Sequence, residues 1–551
     1  MDTRIPHILA KVAEHVSAAR ERLEAVALMH RRGLIDLSRP HDVLRIIKAN
    51  RIYGAPTAAL MNSARTNPDV VAVWDQQGAL TFRDLDRSAN RIANSLERHG
   101  ITAGTVIGVL ARDHRGLPLT ITAAARIGAR VVILNTGMAE PQLHAVIERE
   151  NVRAIFLDSE FTGLFDRLSV DITRILTDSA DPTDFTGPSV QSLADLCATG
   201  NDDLPHPPKR LGGFVLLTSG TTGTPKGAPR KKVSPFVGAM FLSRMPIEQG
   251  GCMVIAAPLF HATGFGMWTI GSALANTTVL VHRFNAEEVL RSVDSHRATM
   301  LILVPTMLQR ILALPDEVVE QYDTASLRIV VVAGAPLTRD LTTRAQRRFG
   351  KVLYNIYGST EAAIASIATP AELQQSPGSV GRAPLTARIM LFDDNDQRIT
   401  KAGRQGRIFV RSAAPFEGYT DGRNKLHIGG YMSTGDNGHF DDVGLLHIDG
   451  REDDMIVSGG ENVYPNEIEN LLGDMHEVED VAVVGVDDVE FGTRLRAVVV
   501  AVEGAHLTAD MVRSHVRSNL ARYKVPRDVI FTDALPRNAT GKVLRNELPN
   551  I

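Results

Sequence analysis

The sequence predicts an α/β fold in which helices cover largely parallel sheets, and three observations support this prediction. Short apolar runs, such as VVAVW from residue 70 and VIGVL from residue 106, alternate with segments of helical periodicity. At 551 residues the chain is too long for one hydrophobic core, because single cores stop growing at roughly 250 to 300 residues. From about residue 389 the pattern changes to short strands separated by glycine and aspartate turns.

These patterns divide the chain into three parts. Residues 1–54 form a helical leader, which either packs on the body or lies weakly on a membrane surface. Residues 55–450 form a large domain of helix-covered parallel sheets with a small β-rich subdomain, and residues 451–551 form a small, mobile α+β domain. One helix of the large domain has an apolar face made of Leu85, Ala89, Ile92, Ala93 and Leu96.

Composition excludes several classes of protein. A net charge of −3 gives no overall positive field, so we expect no nucleic-acid partner. Two cysteines, Cys197 and Cys252, provide neither a disulfide framework nor a metal cluster, which favours a reducing compartment. No apolar run approaches the roughly 18 residues of a spanning helix, and the first residues lack the regions of a signal peptide. We therefore expect a cytoplasmic protein, with peripheral membrane association left open.

A phosphate-binding loop is predicted in the stretch LLTSGTTGTPKGAPR, residues 216–230. Backbone amides, hydroxyls and a lysine that point the same way bind phosphate oxygens well. The loop does not fit a Walker A motif, because Lys226 lies between proline and glycine instead of between glycine and serine or threonine. A P-loop NTPase is therefore disfavoured. The predicted loop residues are Thr218, Ser219, Gly220, Thr221, Thr222, Gly223, Thr224, Pro225 and Lys226.

The segment TSGTTGTPKG resembles the phosphate loop of the adenylate-forming superfamily, and four further segments strengthen the resemblance. These segments occur in the same order as in that family. The resemblance extends from about residue 55 to the end of the chain. The resemblance implies an enzyme similar to acyl-CoA synthetases, in which a carboxylate attacks the α-phosphorus of ATP and the acyl group then passes to a thiol. The segments are YGSTE (357–361), STGD (433–436), GREDDMIVSGGENVYPNEIE (from 450) and PRNATGKVLRNEL (536–548).

The resemblance also implies a nucleotide site. Asp436 and Arg451 would hold the ribose hydroxyls, since a carboxylate accepts two hydroxyl hydrogens and a guanidinium donates to both oxygens. Glu361 would anchor Mg²⁺, with oxygens of Thr360 and Thr221 nearby, because a hard ion shared with phosphates needs few protein ligands. The residues expected around the adenine and the adjoining backbone are Gly334, Ala335, Pro336, Asn355, Tyr357, Gly358 and Ser359.

Two half-reactions on one chain are implied as well. Lys542 would meet the α-phosphate when the small domain closes, and Asp453 corresponds to the hinge of the family. Rotation at the hinge would bring Gly459 and Gly460 towards the active site, where the absence of side chains leaves room for pantetheine. His261, in PLFHATGFGMW, resembles the histidine at the pocket entrance, and the apolar run after it either lines an acyl tunnel or packs as core.

We interpret the chain as an acyl-CoA synthetase that uses ATP, Mg²⁺ and coenzyme A, with a medium- or long-chain fatty acid as the expected substrate. An apolar wall without recognisable polar anchors favours an aliphatic acid. The alternatives are an aromatic-acid CoA ligase and a fatty acyl-AMP ligase that passes the acyl group to a carrier protein. A nucleotide sensor without activity is the non-enzymatic alternative, and a homo-oligomer is left open.

Overall fold

The computed structural model describes residues 19–168, 172–178, 180, 190–218, 225–230, 234–451, 455–489, 491–536 and 543–549. Up to residue 280 its helices are α1 (helical residues 19–31), α2 (Pro40–Tyr53), α3 (Ala55–Thr66), α4 (Phe82–Arg98), α5 (Gly116–Arg126), α6 (Glu140–Glu150), α7 (Leu193–Thr199), α8 (Val237–Leu242) and α9 (Ala262–Ala273). The strands of this part are β1 (Val71–Asp75), β2 (Gly78–Thr81), β3 (Val106–Leu110), β4 (Arg130–Ile133), β5 (Ala154–Leu157), β6 (Thr173–Leu176), β7 (Val190–Ser192), β8 (Phe214–Thr218), β9 (Lys226–Arg230), β10 (Cys252–Ile255) and β11 (Thr277–Leu280).

Beyond residue 280 the helices are α10 (Ala286–Ser295), α11 (Pro305–Ile311), α12 (Asp316–Val319), α13 (Arg339–Phe349), α14 (Pro370–Gln375), α15 (Pro465–Gly473) and α16 (Ala509–Asn519). The strands are β12 (Met300–Leu303), β13 (Ile329–Ala333), β14 (Leu353–Ser359), β15 (Ala363–Ala368), β16 (Arg388–Phe392), β17 (Arg398–Ile399), β18 (Gly406–Arg411), β19 (His427–Ile428), β20 (Tyr431–Phe440), β21 (Leu446–Arg451), β22 (Ile456–Ser458), β23 (Glu461–Val463), β24 (Val478–Asp488), β25 (Gly492–Ala501) and β26 (Asp528–Phe531). Short 3₁₀ turns cover Ser159–Phe165, Arg522–Lys524 and Arg545–Glu547.

Two large sheets form the body of the large domain. Within the described residues, one sheet has the order β15-β14-β13-β12-β10-β11-β1-β2 and the other has the order β7-β6-β5-β3-β4-β8-β9. The inner pairs are parallel, while β14/β15, β1/β2 and β8/β9 are antiparallel. Strands of a parallel sheet are covered on both faces, which is why β3, β12 and β13 are apolar runs buried at every position. The predicted helix-covered parallel sheets are confirmed.

The main core fills the space between the two sheets. It contains Val109 of β3, Met253 of β10, Leu85 and Ala89 of α4, and Trp268 of α9. The opposite face of each sheet has a smaller core of its own. The apolar positions predicted for α4 are all buried, and Thr81 caps this helix by accepting a hydrogen bond from the backbone of Asp84 at 3.1 Å.

The small units follow the large sheets in sequence. Strands β16 to β21 form an antiparallel sheet, which matches the β-rich subdomain expected from about residue 389. After it, the β22/β23 hairpin and the sheet β24-β25-β26 pack with α15 and α16. This small domain has a separate core that includes Ile468, Val483 and Val512. The predicted division into a large domain and a small α+β domain is confirmed.

The described part of the leader packs on the large domain. Ala25 and Met29 of α1 are buried in the main core. Glu21 of α1 accepts hydrogen bonds from the backbone of Thr386 at 2.6 Å and from the Arg388 guanidinium at 2.7 and 3.0 Å. Among the described residues, no helix combines the length and the apolar composition needed to cross a bilayer.

Candidate active site

The predicted nucleotide residues lie where parallel strands of both sheets end. β13 ends directly before Gly334, β14 carries Tyr357 close to its end, and β8 ends at Thr218. Ligands of open α/β sheets bind outside the carboxyl ends of the strands, so this edge is the expected place for a site. A cavity of about 1400 Å³ opens there. Of the predicted site residues, the cavity is lined by His261, Gly334, Ala335, Pro336, Asn355, Tyr357, Gly358, Ser359, Thr360, Asp436, Arg451 and Gly460.

Asp436 forms the centre of a polar cluster in this cavity. It lies on β20 directly opposite Arg451 on β21, and Arg451 Nη1 donates to Asp436 Oδ1 at 2.8 Å. The Tyr357 hydroxyl donates to Asp436 Oδ2 at 2.5 Å. Burial, and then the adjacent Asp436 carboxylate, raise the pKa of Tyr357 well above its ordinary value, so the phenol remains a donor. Strand pairing thus brings Asp436 and Arg451 together, and Tyr357, which lies on a different sheet and 79 positions before Asp436, completes the cluster.

The described ends of the predicted phosphate loop form a hairpin. β8 and β9 pair antiparallel, and Thr218 lies directly opposite Lys226. The Lys226 ammonium lies 5.2 Å from the ring centroid of Tyr419. Burial, and then the nearby Arg423, lower the pKa of Lys226. Lys226 does not line the cavity, and its ammonium contacts Tyr419 instead.

Tyr419 connects Lys226 with Glu361. Its hydroxyl donates to Glu361 Oε1 at 2.5 Å, and burial together with this carboxylate raises the pKa of Tyr419. Glu361 is buried, and it follows Thr360, which lines the cavity. The structure therefore brings the predicted metal anchor close to the lysine of the phosphate loop. The signal for Tyr419 in the sequence was only an aromatic residue after Gly418, and the sequence-based interpretation missed it.

Arg230 fixes the backbone at Glu361, and sequence reasoning missed this residue too. The buried guanidinium donates to the carbonyl oxygens of Thr360 and of Glu361, the latter at 2.8 Å. It also donates to the carbonyls of Ala414 at 2.9 Å and of Pro415 at 2.7 Å. Each of these carbonyls lies in an irregular segment, which leaves its oxygen available. One side chain thereby joins the Glu361 turn to the β-rich subdomain.

The small domain presents its glycine hairpin to the cavity. Gly459 and Gly460 both have positive φ, 62° and 90°, as the turn between β22 and β23 requires. A Cβ on Gly334 would lie 3.9 Å from the Gly460 carbonyl oxygen, and a Cβ on Gly460 would lie 3.5 Å from Val304. Both separations are ordinary van der Waals distances, so the hairpin packs against the large domain here, and the positive φ of the two glycines is what disfavours a side chain.

His261 makes the contact between the domains at the cavity rim. Its Nε2 lies 2.9 Å from Glu461 Oε1, and Asn135 Nδ2 donates to the same oxygen at 3.2 Å. Burial disfavours the imidazolium, but the Glu461 carboxylate outweighs this effect and raises the pKa of His261. The pKa of Glu461 is lowered, because His261 outweighs its burial. Glu461 directly follows the two glycines, and no separate sequence signal indicates its contact with His261.

The apolar run after His261 divides between the cavity and the core. Phe265, Met267 and Trp268 of α9 are all buried in the main core, and of the three Phe265 and Met267 also line the cavity. The run was expected either to line a tunnel or to pack as core, and the structure shows both. Several predicted site residues lie outside the described residues: Ser219, Gly220, Thr221, Thr222, Gly223, Thr224, Asp453 and Lys542.

Comparison with known proteins identifies the family. A family model described as AMP-binding enzyme matches residues 60–420, and a second one, described as AMP-binding enzyme C-terminal domain, matches residues 467–542. The chain belongs to the family of AMP-binding enzymes. This membership confirms the predicted adenylate-forming superfamily, together with the fold that the superfamily implies.

Three relatives of this AMP-binding enzyme have been described. An indoleacetate–CoA ligase from Aromatoleum aromaticum is 32% identical over 500 residues, which cover 88% of this chain and 96% of the relative. A feruloyl-CoA synthase from Amycolatopsis is 31% identical over 493 residues, with the same coverage of 88% and 96%. An amide bond synthetase from Marinactinospora thermotolerans has a similar solved structure, with a TM-score of 0.80, 28% identity and coverage of 89% and 98%. The prediction of an ATP-dependent, AMP-forming acid–thiol ligase is confirmed.

Proposed function

We propose that this enzyme is an acid–CoA ligase for an aromatic or arylalkyl carboxylic acid. The observation that carries the proposal is one continuous cavity, which joins the Asp436–Arg451 pair, the glycine hairpin of the small domain and an apolar wall that includes Phe236, Phe241 and Phe265. The two relatives named for their acids support the substrate class, since indoleacetate and feruloyl groups both contain an aromatic ring.

In the first half-reaction, a carboxylate oxygen attacks the α-phosphorus of ATP and pyrophosphate leaves. A carboxylate is ionised at neutral pH and needs no general base, so the protein has to position the reactants and offset negative charge. Asp436 accepts from the ribose hydroxyls and Arg451 donates to them, while Tyr357 holds the Asp436 carboxylate in place. Gly334, Ala335 and Pro336 form the surface against which the adenine lies.

Lys226 binds phosphate oxygens and Glu361 anchors the metal ion in the proposed reaction. The donor set fits Mg²⁺, because a single buried carboxylate with hydroxyl and phosphate oxygens suits a hard ion that keeps part of its water shell. Mg²⁺ would neutralise charge on the leaving pyrophosphate. Lys542, from outside the described residues, is proposed as the cation at the α-phosphate.

In the second half-reaction, a thiol attacks the acyl carbon of the adenylate and AMP leaves. The placement of Gly460 beside Gly334 supports a role of this hairpin in thiol access, because it brings side-chain-free backbone to the cavity. The His261–Glu461 contact holds the two domains together at the same rim. Rotation at Asp453 would exchange this arrangement for the one that presents Lys542.

The wall of the cavity favours an aromatic acid over the fatty acid expected from the sequence. The ring centroid of Phe265 lies 4.6 Å from that of Phe214 and 5.7 Å from that of Trp268, so three aromatic rings cluster around Phe265 of α9. Aromatic side chains stack on or meet the edge of a bound ring with a gain of about 1 kcal/mol beyond burial. An apolar wall alone suits both substrate classes, which explains why composition pointed to an aliphatic acid.

Release of pyrophosphate and AMP tests the proposal. The purified enzyme is incubated with Mg-ATP and one acid at a time, from acetate and palmitate to benzoate, ferulate and indole-3-acetate, with and without coenzyme A. We expect pyrophosphate with the aromatic acids, and AMP with a thioester only when coenzyme A is present, while Asp436→Ala serves as the blank. A preference for fatty acids would contradict the substrate class, and amide formation with an added amine would assign a different acceptor. Pyrophosphate release with none of the acids would contradict the ligase activity.

A further inference from the structure

The helical leader reaches the cavity with one face of α2. Val43, Ile46, Ile47 and Asn50 all line the cavity, and their spacing of three and four residues puts them on the same side of the helix. Leu44 lies on another face and is 64% exposed. From α1 and the turn after it, Met29 and Leu34 line the same cavity.

We propose that the leader forms the distal wall of the acid pocket and limits the size of the acid that the enzyme accepts. This inference rests on the proposed function, because it assigns the apolar end of the same cavity to the substrate. It predicts a preference for acids with an extended apolar body, such as a fused or linked pair of rings, whose far end contacts Ile47 and Leu34.

The leader is fixed well enough to act as a wall. Met29 is buried in the main core, and Glu21 is paired with Arg388 of the β-rich subdomain. A Cβ built on Gly238 of α8 would come 2.5 Å from Leu34 Cδ2, so Leu34 lies directly against the backbone of the large domain. This contact places Leu34 between α8 and the cavity that it lines.

This wall lies outside the residues that the two family models match. The family model matches from residue 60, after both leader helices. The aligned region covers 96% of the indoleacetate–CoA ligase but only 88% of this chain, so this chain contains additional residues. The proposed determinant of acid size therefore lies in a segment that precedes the match to the family model.

A pair of tryptophan variants on one helix tests the inference. Ile47→Trp adds volume on the face that lines the cavity, and Leu44→Trp adds comparable volume on the exposed face of α2. Adenylation is measured as pyrophosphate release with benzoate, indole-3-acetate and 4-biphenylacetate. We expect Ile47→Trp to lower kcat/KM for 4-biphenylacetate about tenfold or more relative to benzoate, because filling a pocket discriminates by substrate size. Leu44→Trp leaves the ratio unchanged.

A pair of alanine variants tests whether a larger pocket favours the larger acid. Leu34→Ala opens space beside Gly238 and raises the ratio of kcat/KM for 4-biphenylacetate to that for benzoate, whereas Leu23→Ala, at a position that is 71% exposed on α1, does not. Thermal unfolding of each variant shows that the leader remains packed. A merely structural role would lower the activity with all acids equally and leave the ratio unchanged, which overturns the inference.

The outcomes separate this inference from the proposed function. If the wild-type enzyme activates fatty acids and no aromatic acid, the proposed substrate class is wrong, and the same variants are then compared with hexanoate and palmitate. If the wild-type enzyme activates aromatic acids and Ile47→Trp has the profile of Leu44→Trp, the proposed function stands and the leader wall is wrong. If the wild-type enzyme activates no acid, both proposals are wrong.

Discussion

His261 of the large domain and Glu461 of the small domain lie 2.9 Å apart, and this pair closes the rim of the cavity. Both side chains are partly accessible, at 33% and 21%. An ion pair of this exposure contributes about 1 kcal/mol at most. Its significance lies in its position, because in the proposed alternation of the domains it would stabilise one of two arrangements.

Glu461→Gln is expected to slow thioester formation about fivefold, which corresponds to the loss of about 1 kcal/mol. The pKa of His261 is raised, so the contribution of the pair is fully present below the ordinary histidine pKa and is lost as the pH rises through the raised value. The fivefold difference in the rate of thioester formation from supplied acyl-adenylate should therefore be largest at low pH and disappear as the pH rises through the raised pKa of His261. Glu479→Gln, at an exposed position on β24, is the control, and a pH profile identical to the wild type would contradict the role of Glu461.

Lys524→Met is expected to destabilise the small domain by about 3 to 5 kcal/mol, because it leaves a buried carboxylate without its partner. The Lys524 ammonium is fully buried and donates to both oxygens of Glu467 at 2.5 and 2.6 Å. Gln142 of the large domain donates to Glu467 at 2.9 Å, so the defect also reaches the domain interface. Urea unfolding measures the loss, with Lys401→Met at an exposed turn as the control.

The double variant Lys524→Met with Glu467→Leu refines this prediction. Replacing both charges by apolar side chains removes the uncompensated carboxylate, so we expect the double variant to regain much of the stability that the single variant loses. A single variant as stable as Lys401→Met would show that water reaches this pair.

Arg230→Lys is expected to lower the adenylation rate about a hundredfold, since one ammonium cannot replace a guanidinium that binds four carbonyls. Loss of charge-assisted hydrogen bonds worth about 3 kcal/mol corresponds to this factor. Pyrophosphate release at several Mg²⁺ concentrations measures the effect, because displacement of Glu361 should raise the Mg²⁺ requirement. Arg398→Lys, at an exposed position on β17, is the control, and an unchanged Mg²⁺ dependence would contradict the positioning role.

Tyr357→Phe is expected to raise KM for ATP about fivefold, because it removes one hydrogen bond of about 1 kcal/mol and keeps the ring. Asp436→Ala removes the acceptor itself and leaves Arg451 without this carboxylate, so we expect a loss of about 3 kcal/mol, or roughly a hundredfold in kcat/KM for ATP. ATP titrations of both variants show which substitution has the larger effect on kcat/KM for ATP. Equal effects would mean that Tyr357 contributes more than the orientation of Asp436.

Lys542→Ala is expected to lower adenylation by a factor of about 10² to 10³, because one charge donor at the α-phosphate contributes on the order of 3 kcal/mol. Thioester formation from supplied acyl-adenylate should remain, since the proposed alternation assigns that step to the other face of the small domain. Single-turnover measurements of each half-reaction distinguish the two steps. Equal damage to both would contradict the alternation of the domains.

The sequence predicted those parts of the site that lie in contiguous segments. The order of the segments gave the family, and helical periodicity gave α4 with its buried face. The sequence could not predict the contact of Tyr419 with Glu361, because the two residues are 58 positions apart and meet only in the folded chain. Nor could periodicity separate Met267 from Trp268, since α9 is apolar on all sides and no face is distinguished. The contribution of the leader also depends on tertiary packing.

The closeness of the Gly460 carbonyl to Gly334 has a consequence for the order of events in turnover. With the hairpin in this place, a nucleotide resting on Gly334 would be covered from the side of the small domain. ATP would therefore have to arrive before the hairpin, and AMP would depart only after the thioester is made and the hairpin has withdrawn. Steady-state inhibition by AMP would then be competitive against ATP and not against coenzyme A.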